Sequence, residues 1–370
     1  MNLSYWEYKT WLSNIDYTIV GSGIVGLNCA LQLREKYPKA KILILEKGFL
    51  PQGASTKNAG FACFGSISEV LSDLESHSEQ EVVELVQQRW NGIQLLRKNL
   101  GDSYIDYQNH GGHEVFTNQQ GALYETCLTK LNMVNTLLKP VFKDQPFFKT
   151  SNKFNFKNTQ ENYITNRFES QIDTGKMISR LLHIVQQKGI SILNSITVEK
   201  YTEQADSVIV KTNHFEFATR KLILTTNGFA SEFIKEDIKP ARAQVLITKP
   251  IKNLQVKGTF HLDEGYYYFR NIEDRVLFGG GRNLDFKTEE TTFFGETSVV
   301  QNKLEQLLKD VILPDVFFEV ELRWSGIMGM GKQKKPIVKQ LSNHIYCGVR
   351  LGGMGIAIGS TIGKDVADLF

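Results

Sequence analysis

At 370 residues the chain is long enough for a large core and two domains, and its 41% hydrophobic and 22% charged content is that of an ordinary soluble globular protein. A net charge of +3 is too small to make nucleic acid the expected partner, and no window approaches the roughly eighteen unbroken apolar residues of an integral membrane segment. The N-terminus lacks the basic and then apolar pattern of a secretory signal, and Cys29, Cys63, Cys127 and Cys347 form no C-x-x-C pair, so reduced thiols and a cytoplasmic location are expected.

After a short N-terminal helix, Ile15 to Val20 reads as a strand. Gly21, Ser22, Gly23, Ile24, Val25 and Gly26 form a glycine-rich turn. An amphipathic helix with Leu27, Ala30 and Leu31 on one face then runs to about Tyr37, and Lys41 to Glu46 is a second strand. This is G-x-G-x-x-G in the context that dinucleotide binding requires: behind a strand, opening a helix, with an acidic residue twenty positions past the third glycine. Gly21 permits the tight turn, Gly23 lets a pyrophosphate approach the backbone, and Gly26 lets helix and sheet pack closely. The helix N-terminus offers free N–H groups to phosphates. Glu46 is placed to accept from a ribose diol and to repel a 2′-phosphate, which argues against NADP; Lys47 beside it joins the expected cofactor contacts. The fingerprint alone leaves NAD and FAD open.

Gly53 to Phe61 follows the second strand, and its small and hydroxylic residues include Ser55, Thr56, Asn58, Ala59, Gly60 and Phe61. Backbone of this kind can lie flat against a ring. Together with the fingerprint, the segment resembles the glycine oxidase/D-amino-acid oxidase family of FAD enzymes, sarcosine oxidases included. The resemblance implies that a serine and a small-residue loop here contact the pyrophosphate and the isoalloxazine, and it favours FAD over NAD. Cys63 stands three residues beyond Gly60.

Ser78 and Glu81 form a capping-box signature for a helix bearing Val82, Leu85, Val86, Trp90, Ile93 and Leu96, which stops near Gly101. His110-Gly-Gly-His113-Glu114 is read as a turn into a strand rather than a metal site, because no further ligand is indicated. A helix is expected from about Gly121 to Lys139, ended by Pro140, and then irregular or β structure to 170. Asp173 caps a helix stopped by Gly189, and Ile190 to Leu193 is a strand. Val198 is counted among the cofactor contacts. Ser207–Thr212 and Phe215–Ala218 read as a hairpin. Lys221 to Gly228 is a separate buried strand, whose small polar end, with Thr226, Asn227 and Gly228, suits a chain passing close to a cofactor.

Ala241–Lys249, Gly265–Arg270 and Arg275–Gly281 are expected in an antiparallel sheet. Alternation puts Tyr266, Tyr268 and Arg270 on one side, either as the wall of a substrate pocket, as the family implies, or as an aromatic face packed on its core. Arg270 and Arg282 are candidate cations for a substrate anion. A helix from about Glu296 to Leu308 precedes a strand from Phe317 to Trp324, which leads into the glycine-rich Ser325–Gly331, with Gly326 counted as a cofactor contact. The chain closes with Arg350-Leu351-Gly352-Gly353-Met354-Gly355-Ile356 and a final helix. The family ends in the same way, with this helix N-terminus aimed at the flavin pyrimidine, where a reduced flavin carries negative charge.

The resemblance implies an α/β fold. A discontinuous Rossmann-like FAD-binding domain (1–75, 171–240 and 325–370) is joined to an α+β substrate domain (76–170 and 241–324). It implies oxidation of a C–N bond in a small amine or amino acid, with hydride transfer to flavin N5 and reoxidation by oxygen. The family's carboxylate-binding arginine after W-x-G is replaced here by Met328, its C-terminal lysine by Ala357, and the cysteine that sarcosine oxidases use for covalent flavin is absent, so FAD is expected to be non-covalent. A 2-hydroxy-acid dehydrogenase and a flavin-binding subunit without turnover are the alternatives; an NAD-linked dehydrogenase would leave the later motifs unexplained.

Overall fold

Strands that are apolar at every position need cover on both faces. Ile42–Leu45 is buried throughout, and Ile15–Val20 lies beside it in parallel register, with Tyr17 opposite Ile42 and Val20 opposite Leu45. The computed structural model describes residues 3–370; residues 1 and 2, at the start of the expected cofactor segment, lie outside the described residues. The first sheet has eight strands, and its central path runs Ile337–Gln340, Ile345–Val349, Glu216–Leu224, Ile15–Val20, Ile42–Leu45 and Ser191–Leu193. All the neighbours on that path are parallel except the first two. Val208–Thr212 and Val198–Glu203 extend the sheet as antiparallel strands.

The second sheet also has eight strands, in the order Val320–Met330, Lys239–Thr248, Arg275–Gly280, Tyr267–Ile272, Thr259–Leu262, Gly112–Glu114, Asn162–Asn166 and Phe147–Ser151. It is antiparallel except where Thr259–Leu262 runs parallel to Gly112–Glu114. Its core is aromatic, with Phe260 and Phe269 stacked at 4.5 Å.

The first glycine-rich helix, Ile24–Lys36, packs against the last, Gly355–Ala367, which also meets the long Glu79–Leu100 helix. These contacts are close because they are made at glycines. A Cβ on Gly92 would lie 1.9 Å from the Ala357 carbonyl oxygen, and one on Gly363 would lie 2.6 Å from that of Val25. The long helix carries its capping box, the Ser78 hydroxyl accepting from the Glu81 N–H. Asp173 caps Thr174–Gln187 in the same way through the Lys176 N–H.

Three expectations change, and two elements come in addition. Pro140 lies inside a helix that runs from Gly121 to Phe142, since a proline near the end breaks little of the ladder; Lys143, left-handed at φ 57°, closes it. The expected hairpin return and the buried strand are one strand, Glu216–Leu224, antiparallel to Val208–Thr212 from Glu216 to Thr219 and parallel to Ile15–Val20 from Thr219 to Leu224. The strand expected to end at Trp324 runs on through the glycine-rich stretch: Val320–Met330 is a single strand that pairs with Lys239–Thr248 from Val320 to Met330. Ile67–Ser76 is a helix, and Thr259–Leu262 is a strand, that periodicity does not reveal.

No helix among the described residues is long and apolar enough to cross a membrane.

Candidate active site

The glycine-rich turn places a helix end above the first sheet. Gly21, at φ +104°, donates its N–H to the Leu45 carbonyl at 2.8 Å. A Cβ on Gly26 would lie 2.1 Å from the Gly21 carbonyl oxygen and 2.8 Å from the Thr225 hydroxyl, so no other residue fits there. Ser55 reaches across from the following loop and accepts the Ile24 N–H at 3.0 Å, and a Cβ on Gly23 would meet that hydroxyl at 2.8 Å. Both glycines therefore keep the helix end open.

Glu46 is buried at the end of its strand. One carboxylate oxygen accepts from the Ser22 N–H (3.0 Å) and hydroxyl (2.7 Å), and the other from the N–H groups of Gly48 (3.0 Å) and Gln52 (3.2 Å). It thus fixes the fingerprint turn as well as lining a cavity. Asn58 braces its own loop: its side chain donates to the carbonyls of Ala54 and Ser55 and accepts from the Gly60 N–H and the Thr174 hydroxyl. The Trp324 indole ties the same loop to the second sheet through the Lys57 carbonyl at 3.0 Å.

A cavity of about 920 Å³ begins at Gly21, Gly23, Ile24 and Val25 and takes in Glu46, Lys47 and Val198 at one end. It continues along Ser55 and Asn58 to Phe61, passes Thr226, Asn227 and Gly326, and meets Gly352 to Ile356 at the start of the last helix. At the far end stand Tyr266, Tyr268 and Arg282. The expected cofactor residues from the fingerprint, the Glu46–Phe61 segment, Val198, Thr226–Asn227, Gly326 and Gly352–Ile356 thus share one wall system.

Five expected residues stand off it. Ser22 turns to Glu46. Gly26 is consumed by packing. The Thr56 hydroxyl donates to the Pro51 carbonyl. Gly228 packs under Met328, whose carbonyl oxygen a Cβ there would meet at 2.5 Å.

Arg270, the fifth, does not share a cavity face with the two tyrosines. It is buried behind Gly60, donates to that carbonyl at 3.4 Å, and its Nε has no partner. Burial pulls its guanidinium down to about 10 against the opposing pull of Asp173 and Asp106. The strand begins at Tyr267 and holds both Tyr268 and Arg270, so it is the Gly60 loop, lying over the guanidinium, that keeps Arg270 from the cavity. Arg282, by contrast, reaches the cavity, stacked on Phe286 at 5.1 Å and over Tyr266 at 5.8 Å. Burial pushes the Tyr268 phenol up to about 12, although Arg282 pulls the other way, so Tyr268 offers a neutral hydroxyl at ordinary pH. Cys63 also reaches the cavity; burial, then Glu169 and Glu69, holds its thiol well above the usual range.

Glu69 and His261 line the cavity too, and periodicity points to neither. Glu69 belongs to the Ile67–Ser76 helix, where its capping box with Ser66 is the signal that could have found it. His110-Gly-Gly-His113-Glu114 does enter a strand. His113 meets the Thr165 hydroxyl through Nδ1 at 2.8 Å, and Glu114 accepts from Ser68. Burial raises the Glu114 carboxyl to about 7 and lowers the His113 imidazole to about 3.

The architecture and its cavity are those of a flavin-dependent oxidoreductase, and the comparisons agree. The family model described as DAO, FAD dependent oxidoreductase, matches residues 16–369, and the chain belongs to that family. It is 20% identical to the probable oxidoreductase OrdL of Haemophilus influenzae over 388 residues, covering 97% of this chain and 83% of that protein. Its fold is similar to glycine oxidase from Geobacillus kaustophilus (TM-score 0.76, 18% identity, 96% of this chain and 94% of that one). It is also similar to L-proline dehydrogenase from P. horikoshii (TM-score 0.75, 16% identity, 96% and 93%). The chain is an FAD-dependent enzyme.

The residues present suit that cofactor. The two cradle glycines admit no side chain without collision, the cavity is of the size that ligands of this class need, and the Thr226 hydroxyl on its wall is buried without a partner.

Proposed function

We propose that this enzyme oxidises the C–N bond of a small amine or amino acid, with FAD held non-covalently and oxygen as the final acceptor. The observation that carries the reading is the continuity of one cavity, from the fingerprint turn and Glu46 to a wall bearing Tyr268 and Arg282. In it Gly21, Gly23, Ile24, Val25 and Ser55 hold the pyrophosphate, Glu46 and Lys47 the ribose, and Val198 the adenine end. Asn58 acts on the loop rather than on the cofactor, since its side chain already fixes Gly60. The N-terminus of Gly355–Ala367 lies at the ring end and supplies unpaired N–H groups where negative charge develops. FAD, when bound, accepts the hydride from the substrate α-carbon.

Arg282 provides the cation for a substrate carboxylate, taking the part for which Met328 is unsuited. Tyr268 donates a hydrogen bond from its neutral hydroxyl, and Phe61 fills the wall between, 5.7 Å from the Tyr268 ring. The protonated thiol of Cys63 is a poor nucleophile, which supports non-covalent FAD. The domain division is part of the same proposal: 1–75, 171–240 and 325–370 hold the cofactor, and 76–170 and 241–324 hold the substrate. Four buried free thiols suit a cytoplasmic setting.

The test is the visible spectrum of the purified protein, recorded anaerobically before and after addition of amines, amino acids and 2-hydroxy acids. Flavin bands bleached by an amine, and restored by oxygen, are the expected result. Bleaching only by a hydroxy acid would move the reaction to a C–O bond, and bands that resist every donor would leave a flavin-binding subunit.

A further inference from the structure

One ionisable pair on the cavity wall is unused by this reading. His261 lies on the Thr259–Leu262 strand, opposite Tyr268, and its ring meets Phe61 edge-on at 5.4 Å. Its Nε2 lies 2.6 Å from a carboxylate oxygen of Glu169. That oxygen also accepts the Thr259 hydroxyl at 2.8 Å. Glu169 is fully buried and does not reach the cavity, whereas His261 does. Glu169 therefore approaches the ring from behind, and Nδ1, the nitrogen on the other side, has no partner among the described residues.

The arrangement is built. A Cβ on Gly112 would lie 2.3 Å from the Glu169 carboxylate carbon, so the Gly-Gly pair that precedes His113 leaves the room in which Glu169 sits. A carboxylate on one imidazole nitrogen fixes the tautomer and turns the other nitrogen into a proton acceptor.

We propose that His261, positioned by Glu169, is a catalytic residue that accepts a proton from the substrate ammonium through Nδ1. An N–H bond of the ammonium breaks and its electron pair stays on the substrate nitrogen. An N–H bond forms at Nδ1, and the imidazolium charge faces Glu169. No oxidant or reductant enters this step, and the free amine it yields is the form whose α-carbon can lose hydride. The inference rests on the amine-oxidation reading above.

The surrounding charges set the working range. Burial lowers the affinity of His261 for its proton, but Glu169, then Glu69 and Glu114, more than reverse this and raise it to about 9; the neutral His113 stands on the neighbouring strand. A base of that strength is matched to an alkyl ammonium, and the neutral, accepting form grows as pH rises. The rate with amine donors should therefore climb through weakly alkaline pH.

The experiment measures anaerobic flavin reduction by glycine, sarcosine and L-proline across pH in the wild-type holoprotein and in His261→Asn and Glu169→Gln, with ¹⁵N-histidine NMR of the oxidised holoproteins. Expected for His261→Asn are normal flavin content, a loss of about a hundredfold or more in reduction rate, disappearance of the rising limb and partial rescue by added imidazole. In Glu169→Gln the limb and the His261 titration both move to lower pH. Amines that bleach His261→Asn at the wild-type rate, with the limb unchanged, would overturn this assignment alone. So would a rise in KM confined to carboxylate-bearing amines with the limb intact, or a His261 signal that Glu169→Gln leaves in place. Wild-type flavin that no amine bleaches would overturn both readings.

Discussion

The two ends of the cavity are built in opposite ways. The fingerprint end is mostly backbone: Gly21, Gly23 and Gly26 work by having no side chain, and Glu46 works largely by accepting from three backbone N–H groups. The far end is mostly side chains on an antiparallel sheet: Tyr268, Arg282, and His261 with Glu169 behind it. A backbone cradle depends on local spacing and fails when a single atom is added. A side-chain wall depends on strand pairing between distant segments and is altered by small changes in charge. The contrast predicts steep, all-or-none effects at one end and graded, pH-dependent effects at the other.

The largest effect is expected from Gly26→Val. With a Cβ 2.1 Å from the Gly21 carbonyl oxygen, the turn cannot form, and the protein should be recovered insoluble or without flavin, as read by bound flavin per chain. A soluble, flavin-replete Gly26→Val protein would break the comparison at its cradle end.

Glu46→Ala removes the acceptor of four hydrogen bonds and leaves the buried donors of Ser22 and Gly48 unpaired. A loss of about 2–4 kcal/mol in stability is expected by chemical denaturation of the apoprotein, together with weaker flavin binding by fluorescence titration.

At the wall end, Arg282→Gln should raise KM for carboxylate-bearing amines about tenfold or more while leaving kcat within a few-fold, because a uniform binding contact is lost. An equal fall in kcat would place Arg282 in the chemistry instead.

The most gradual effect is in stability against pH. The His261 affinity for its proton is raised on folding, so the pair stabilises the native state fully below the ordinary histidine range, near 6.5, and that contribution is lost as pH rises through about 9. Its size is on the order of 3 kcal/mol at most. Denaturation at pH 6 and pH 10 should show the wild type losing more stability than Glu169→Gln over this interval.

Local signals made most of the cradle legible. The G-x-G-x-x-G between two apolar strands, Glu46 twenty residues on, the small-residue loop at Ser55 to Gly60 and the closing Gly352–Gly355 all lie on the cavity or brace it. The wall was legible only in part. Tyr268 and Arg282 reach the cavity, but Arg270 does not, because the Gly60 loop lies over its guanidinium and separates it from the cavity. The strand read as ending at Trp324 continues to Met330, since its partner Lys239–Thr248 supplies the ladder that glycine content alone disfavours.

His261 shows the remaining boundary most clearly. Its partner Glu169 is ninety-two residues away, the space for that partner is left by Gly112 on a third segment, and Phe61 beside its ring comes from a fourth. By itself the sequence determined the βαβ unit, the cradle glycines, the caps of the long helices and the binding of a dinucleotide, because each depends on neighbours within a turn or a strand. Only the tertiary structure decided which arginine meets the cavity, where the Met328 segment runs and that His261 is backed by a carboxylate, because burial and electrostatic pairing are set between segments that the chain brings together only when it folds.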